Sequence, residues 1–360
     1  MTTAPAAVSP GYPVRLDWLA RNQEAVIEPD LPIIDPHHHL WHRAGSFEQA
    51  GDQSAHYLFP ELLADMTCGH NVRATVFVQC RSMLRQSGPD AMRSVGEVEF
   101  VNGIAAQAAS GFYGPRFACA GIVAGADLTL GAGVEPVLER MRAVAGDRFV
   151  GIRNSVAWHE SPDVRASMIL PPPGLMADKR FREGVGRLAA HKLSLDIWAY
   201  QTQAAEVLDL ARAEPGVTMI IDHLGGPLAA GPYAGKRDEL FGVWKAGLAA
   251  LAKLPNTRIK LGGLGMKVGG FPFQDAVEPP TSQQLADAWK PYVDTAIQLF
   301  GPSRAMFESN FPVCKGMFGA SAFWNACKRL SAGCSATEKT ALFSGTAADV
   351  YKLPVGEIGV

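Results

Sequence analysis

Residues 33–45 read IIDPHHHLWHRAG. A short apolar run ends on aspartate and proline, and three histidines follow. Along an extended segment side chains alternate between faces, so His37 and His39 point one way and His38 the other. An HxH pair at a strand end can present two imidazoles to one divalent metal ion, preferably zinc, or to one substrate. A solvated polar loop is the plainer alternative, and the position directly after an apolar strand weighs against it.

Working outward, the same form recurs. After the first strand at 31–35 come ATVFVQC (74–80), FACAGIV (117–123), FVGIRNSV (149–156), LSLDIWAY (193–200), VTMIIDHLGG (217–226), TRIKLGG (257–263) and RAMFESNFPV (304–313). Stretches of helical periodicity lie between them, among them 95–109, 134–145 and 181–191. The runs read as strands buried on both faces, as a parallel sheet requires. Strands alternating with helices over this length predict an α/β protein of one domain, a (β/α)8 barrel over residues 31–353. Residues 1–30 are then an N-terminal extension and 354–360 a C-terminal tail. An open doubly wound sheet is the competing arrangement, weakened because no glycine-rich dinucleotide fingerprint follows the first strand. Two long loops, 41–67 and 264–282, fall on the C-terminal face of the barrel, where active sites are built.

Bulk composition narrows the function. Of the 360 residues, 48% are apolar and 19% charged, with a formal net charge of −2 and no basic block. Nothing here argues for a nucleic-acid partner, and the partner expected is a small-molecule substrate. No apolar run reaches the length of a membrane span. The N-terminus lacks a basic start followed by an apolar stretch, so it does not read as a secretory signal. Six cysteines without CxxC spacing fit free thiols in a reducing compartment. The expectation is a cytoplasmic protein, with a symmetric homo-oligomer as the default assembly.

Other strand ends carry candidate chemistry. His223 follows strand six, with Asp222 expected to face the opposite way. A barrel brings distant strand ends together, so His37, His39 and His223 are expected to share one mouth. In FESNFPV, Glu308 and Asn310 fall on one face, Asn310 nearer the mouth and Glu308 deeper. An amide has no basic pair to offer, so Asn310 cannot take a proton near neutral pH. Glu308 can, if burial raises its pKa; the alternative is a buried ion pair with an inward Arg or Lys. The cations are Arg153, Lys260 and Arg81. Arg153 best suits a substrate carboxylate or carbonyl, since its planar fork matches two oxygens; structural pairing to Glu308 or Asp196 competes. Trp198, Tyr200 and Gln201 either line a pocket or serve as packing.

Together these motifs resemble the amidohydrolase superfamily, and within it the amidohydrolase 2 group, which includes sugar-lactone and 2-pyrone-4,6-dicarboxylate lactonases. The resemblance spans 31–353 and rests on IIDPHHHLW, GIRN, LSLDIWAYQ, DHLGGP, IKLGGL, SNFPV and GTAADVYKL. It implies a distorted (β/α)8 TIM barrel with its site at the C-terminal mouth. It implies that His37 and His39 are the strand-one pair, His223 the strand-six histidine and Arg153 a substrate-contacting arginine. The strand-eight position is usually Asp in an SDWP-like motif, acting as general base or metal ligand. Here it is Asn310, followed by Phe311, and GIRN carries Asn154 where His is common. In a branch with ESNFPVDK-like sequences an Asp stands where this chain has Cys314.

The leading expectation is therefore a hydrolase of a small cyclic ester bearing a carboxylate or hydroxyls. His37, His39 and His223 bind zinc, and Asn310 orients the water. A metal-free version uses the same imidazoles with Glu308 as base, since some members of the group work without metal. Decarboxylation or hydration of an aromatic-derived acid is a second reaction open to this barrel. A substrate-binding non-enzyme is the reading that Asn310 alone motivates.

Overall fold

The computed structural model describes residues 11–43, 55–165 and 170–360. Its main sheet has eight strands: β1 (Ile33–His38), β2 (Val72–Val78), β3 (Phe117–Ala124), β4 (Phe149–Arg153), β5 (Ser194–Ile197), β6 (Met219–Ile221), β7 (Thr257–Leu261) and β8 (Ala305–Phe307). Spatial order equals chain order, and every neighbouring pair is parallel. A helix follows each strand: α1 (Phe59–Met66), α2 (Val95–Ala109), α3 (Glu135–Ala145), α4 (Lys179–Ala190), α5 (Ala204–Ala213), α6 (Arg237–Ala252), α7 (Ser282–Phe300) and α8 (Ala320–Leu330). This is the expected single-domain (β/α)8 barrel.

Alternation along the strands divides the core in two. Ile33, Phe77, Ile122, Phe149, Leu195 and Ile259 join the helices in one large apolar cluster. Ile34, Val76, Val123, Val150, Ile220 and Met306 form a second cluster, closed by Tyr351, Leu353 and Ile358. The last residues of the chain therefore plug the barrel floor, and Arg73 Nε donates to the Ile358 carbonyl at 2.9 Å. At the other end, residues 11–30 strap the loop after β7. Trp18 Nε1 donates to the Val277 carbonyl at 3.0 Å and Asn22 Nδ2 to that of Pro280 at 2.7 Å.

The barrel closes differently between β8 and β1. No ladder joins these strands; a single bridge pairs His38 with Phe311. The Asn310 amide donates to the His37 carbonyl at 2.9 Å, and that of His39 to the Phe311 carbonyl at 2.8 Å. Below them the Asp35 carboxylate accepts from the Ser309 amide at 3.0 Å and its hydroxyl at 2.5 Å. Two backbone hydrogen bonds and a side-chain clasp thus stand in for a full ladder. Burial outweighs these donors and raises the Asp35 carboxyl to about 7.

Most predicted strands run past the observed ones at the mouth. The backbone leaves the ladder there, with left-handed φ at His223 (54°), Leu224 (55°) and Asn310 (53°). The predicted loop 41–67 contains a two-stranded ribbon, Trp41–His42 with His56–Tyr57, and helix α1; its residues 44–54 lie outside the described ones. All six cysteines are free thiols. No described helix is long and apolar enough to cross a membrane.

Candidate active site at the barrel mouth

The imidazoles that end β1 and β6 meet. Ring centroids of His37 and His39 lie 5.0 Å apart, and those of His37 and His223 lie 4.6 Å apart. His38 points to the outer side, with Nε2 at 2.8 Å from the Thr75 hydroxyl. Two glycines of IKLGG make room for this convergence. A Cβ on Gly262 would stand 2.4 Å from Glu308 Cγ, and one on Gly263 (φ +74°) would stand 2.4 Å from His223 Cβ. No side chain larger than hydrogen fits there.

Glu308 ties the histidines together. Its Oε1 accepts from the His223 amide at 3.0 Å and lies 2.6 Å from His223 Nδ1. Its Oε2 lies 2.9 Å from His37 Nδ1. The inward Arg or Lys of the alternative reading is therefore not its direct partner. Burial would raise this carboxyl, but His223 and His37 outweigh it and hold it down at about 2. It is a resident anion at neutral pH. Burial, and after it the Lys260 ammonium, holds His37 well below the usual imidazole range; burial and then Arg153 do the same to His39. Both rings are neutral at pH 7.

The partners assign the tautomers of His39 and His223. His39 Nδ1 lies 2.7 Å from the Val78 carbonyl, an acceptor only, so it carries the proton and leaves a lone pair on Nε2. His223 Nδ1 donates to Glu308 in the same way. His37 is flanked by donors on both nitrogens: Nε2 faces Arg153 Nη1 at 3.3 Å, and Nδ1 lies between Lys260 Nζ at 3.0 Å and Glu308 Oε2 at 2.9 Å, so its partners leave either tautomer open. The guanidinium also donates from Nε to Gln79 Oε1 at 3.3 Å and from Nη2 to the Gln79 carbonyl. With five N–H groups, Arg153 keeps donors in hand. A cavity of about 650 Å³ opens beside it, walled by Gln79, Arg81, Glu97, Asp127 and Asn154 among others.

Beneath the rings lies a buried ion cluster. Lys260 Nζ donates to Asp196 Oδ2 at 2.6 Å and lies 3.2 Å from Asp222 Oδ1 and 3.0 Å from His37 Nδ1. Burial would strip this ammonium of its proton, but the carboxylates raise its pKa instead. Asp222 corrects a sequence expectation. It faces the site, 3.5 Å from His37 Nδ1 and 4.0 Å from Arg153 Nη1, because the left-handed turn at His223 breaks the alternation. Asn310 has one side-chain partner. Its Nδ2 points to Cys314 Sγ at 3.4 Å, and its buried Oδ1 has no hydrogen-bond partner. Trp198 packs edge-on against His223 at 4.8 Å between ring centroids, and Tyr200 packs against Trp198 at 5.5 Å.

The donor set suits a divalent metal ion. Ligand atoms of His37, His223 and Glu308 all lie within 4.8 Å of one another. Two imidazoles and a carboxylate form a catalytic zinc-type set. Glu308 joins the expected His37 and His223 in this group, and His39 is not among its members. Apart from its approach to His37, the buried Oε2 has no hydrogen-bond partner, which leaves it acceptor capacity for a ligand.

A family model described as Amidohydrolase matches residues 34–353. The chain belongs to the amidohydrolase family. Among relatives of this amidohydrolase, the uncharacterized protein y4mH of Sinorhizobium fredii is 32% identical, over 90% of this chain and 99% of that one. L-fucono-1,5-lactonase of Burkholderia multivorans is 27% identical, over 89% and 96%. The crystal structure of an amidohydrolase from Burkholderia multivorans with bound zinc superposes with a TM-score of 0.66 at 26% identity, covering 89% of this chain and 99% of that one. The chain is a hydrolase built on the barrel that these proteins share.

The sequence pattern places His37, His39, His223 and Arg153 at one mouth, where the structure also has them. It misses Asp222, the pairing of Glu308 with two histidines, and Gln79. The glycines after IKL are the available signal for close approach.

Proposed function

We propose that this amidohydrolase opens a small lactone with water at the barrel mouth, using zinc held by His37, His223 and Glu308. The observation that carries this is the buried two-imidazole, one-carboxylate set with a partly free arginine beside it. The 27% identity to an L-fucono-1,5-lactonase supports a sugar lactone as substrate class. When bound, a zinc ion lowers the pKa of water and polarises a carbonyl.

The chain's own groups do the rest. Arg153 turns its remaining donors to the lactone carbonyl or to an acidic substituent. His39, its Nδ1–H held by Val78, offers Nε2 to accept a hydrogen bond from the attacking water. Glu308 holds the His223 ring and its tautomer. The Asn310 Oδ1 accepts from a hydroxyl or water and takes no proton. Trp198 supplies an apolar wall beside His223.

The test is a pH-indicator assay of purified protein on L-fucono-1,5-lactone and other sugar lactones, with metal content measured on the same sample. Hydrolysis lost on chelation and restored by zinc is expected. Turnover by metal-free protein would remove the zinc part. Inactivity on every lactone with zinc present would remove the lactonase reading, and release of carbon dioxide from an aromatic acid would replace it.

A further inference from the structure

A polar column runs down the barrel axis from the imidazoles to the floor. Asp196 on β5 and Lys260 on β7 are fully buried in it. One oxygen, Asp196 Oδ2, takes two donors: Lys260 Nζ at 2.6 Å and the Tyr351 hydroxyl at 2.8 Å. Lys260 Nζ lies 5.6 Å from the centroid of the Tyr351 ring. Tyr351 follows the short helix Thr346–Val350 and enters the barrel from below, with no exposed surface. Its surroundings are the inner apolar cluster, so the hydroxyl has one polar purpose in view. Burial and then the Asp196 charge push that hydroxyl well above the usual phenol range, so it remains a donor.

The top of the column matters because of how β1 is held. β1 is laddered to β2 and joined to the β8 side by two backbone hydrogen bonds only; these hold the His37 backbone, and the rotation of its ring is set by side-chain contacts. Lys260 is one of these, 3.0 Å from Nδ1. A lysine stem has four rotatable carbons and keeps one position only when its ammonium is anchored. Asp196 is the nearest anchor, and Tyr351 fixes the carboxylate.

We propose that Tyr351, from the C-terminal segment, is a positioning residue for His37, acting through Asp196 and Lys260. The C-terminal segment is then a working part of the site as well as a stopper for the barrel. This rests on His37 serving the reaction proposed above.

Tyr351→Phe tests it, removing one oxygen and keeping the ring that fills the floor. The expected result is a kcat about tenfold lower at unchanged KM, the shift that 1.4 kcal/mol produces, with a melting curve close to that of the parent protein. In long-range 1H–15N spectra of histidine-labelled protein, the His37 resonances move and those of His159 stay. Asp196→Asn, which probes the link from its other end, gives the same kcat-against-KM split. Ile358→Ala loosens the same segment without touching the hydroxyl; it lowers the melting temperature and leaves kcat and the His37 resonances in place. Parent-like kcat and unmoved His37 resonances in Tyr351→Phe overturn the proposal. An equal kcat loss in Ile358→Ala also overturns it, since general loosening would then suffice. If the parent protein turns over no lactone, the functional reading fails by itself, and the imidazole spectra still decide the positioning role.

Discussion

Replacing Lys260 by methionine keeps the bulk of the stem and removes the ammonium from between two buried carboxylates. In the parent protein that ammonium stands 2.6 Å from Asp196 and 3.2 Å from Asp222, and none of the three groups has exposed side-chain surface. Breaking a buried pair from one side costs about 3–5 kcal/mol, because the remaining charge is left without compensation. The pH dependence follows from Asp196. Burial, only partly offset by Lys260, raises its carboxyl from an ordinary 3.8 to about 6. Between those values the native state holds the proton more tightly than the unfolded chain. Acidification through that window therefore stabilises the fold, by about 3 kcal/mol for a shift of this size. Without the ammonium, the carboxyl titrates higher still. The penalty of Lys260→Met is accordingly largest above about pH 7 and shrinks as pH falls towards about 5. Equilibrium urea unfolding, followed by tryptophan fluorescence and circular dichroism, measures this, with coincident transitions as the condition for reading a free energy. Asp196→Asn in the same background removes the stranded charge and recovers part of the loss, a coupling of about 1–3 kcal/mol in the double-mutant cycle. A Lys260→Met protein within about 1 kcal/mol of the parent at high pH refutes the reasoning, since stranding a buried charge costs well above that. So does an Asp196→Asn change whose own cost adds in full.

Two further outcomes concern the mouth. Arg153→Lys replaces a planar fork that holds Gln79 and His37 together by a single point charge, so kcat/KM for a lactone falls on the order of ten- to a hundredfold; parent-like kinetics would exclude Arg153 from substrate contact. Glu308→Gln puts an amide where a carboxylate faces two Nδ1 atoms, and zinc affinity, in competition with a chromophoric chelator, drops by more than the roughly ten- to hundredfold that loss of an outer-shell partner costs. Unchanged affinity would take Glu308 out of the metal set.

Much of the barrel is legible because its strands are buried on both faces and read as apolar runs between amphipathic helices. The strand ends are not. Alternation sets Asp222 opposite to His223, but a left-handed φ at His223 puts both side chains on the site. The same conformation at Asn310 sends its amide towards Cys314. Glu308 reads either as a base raised by burial or as the partner of an inward cation, and Lys260 reads as an inward cation. Their real partners, imidazoles for one and Asp196 for the other, come from strands far apart in the chain. Tyr351 gives no local signal, because its role depends on the chain returning to the barrel axis after all eight strands are laid down.

The clasp between β1 and β8 makes the barrel a split ring. A ring cut at one meridian changes circumference by sliding its two lips, with no sheet hydrogen bond sacrificed elsewhere. His37 stands on one lip and Glu308 follows the strand that forms the other. The width of the gap and the spacing of the ligand atoms are therefore one and the same variable, and Ser309 with Asp35 is the buckle that sets it.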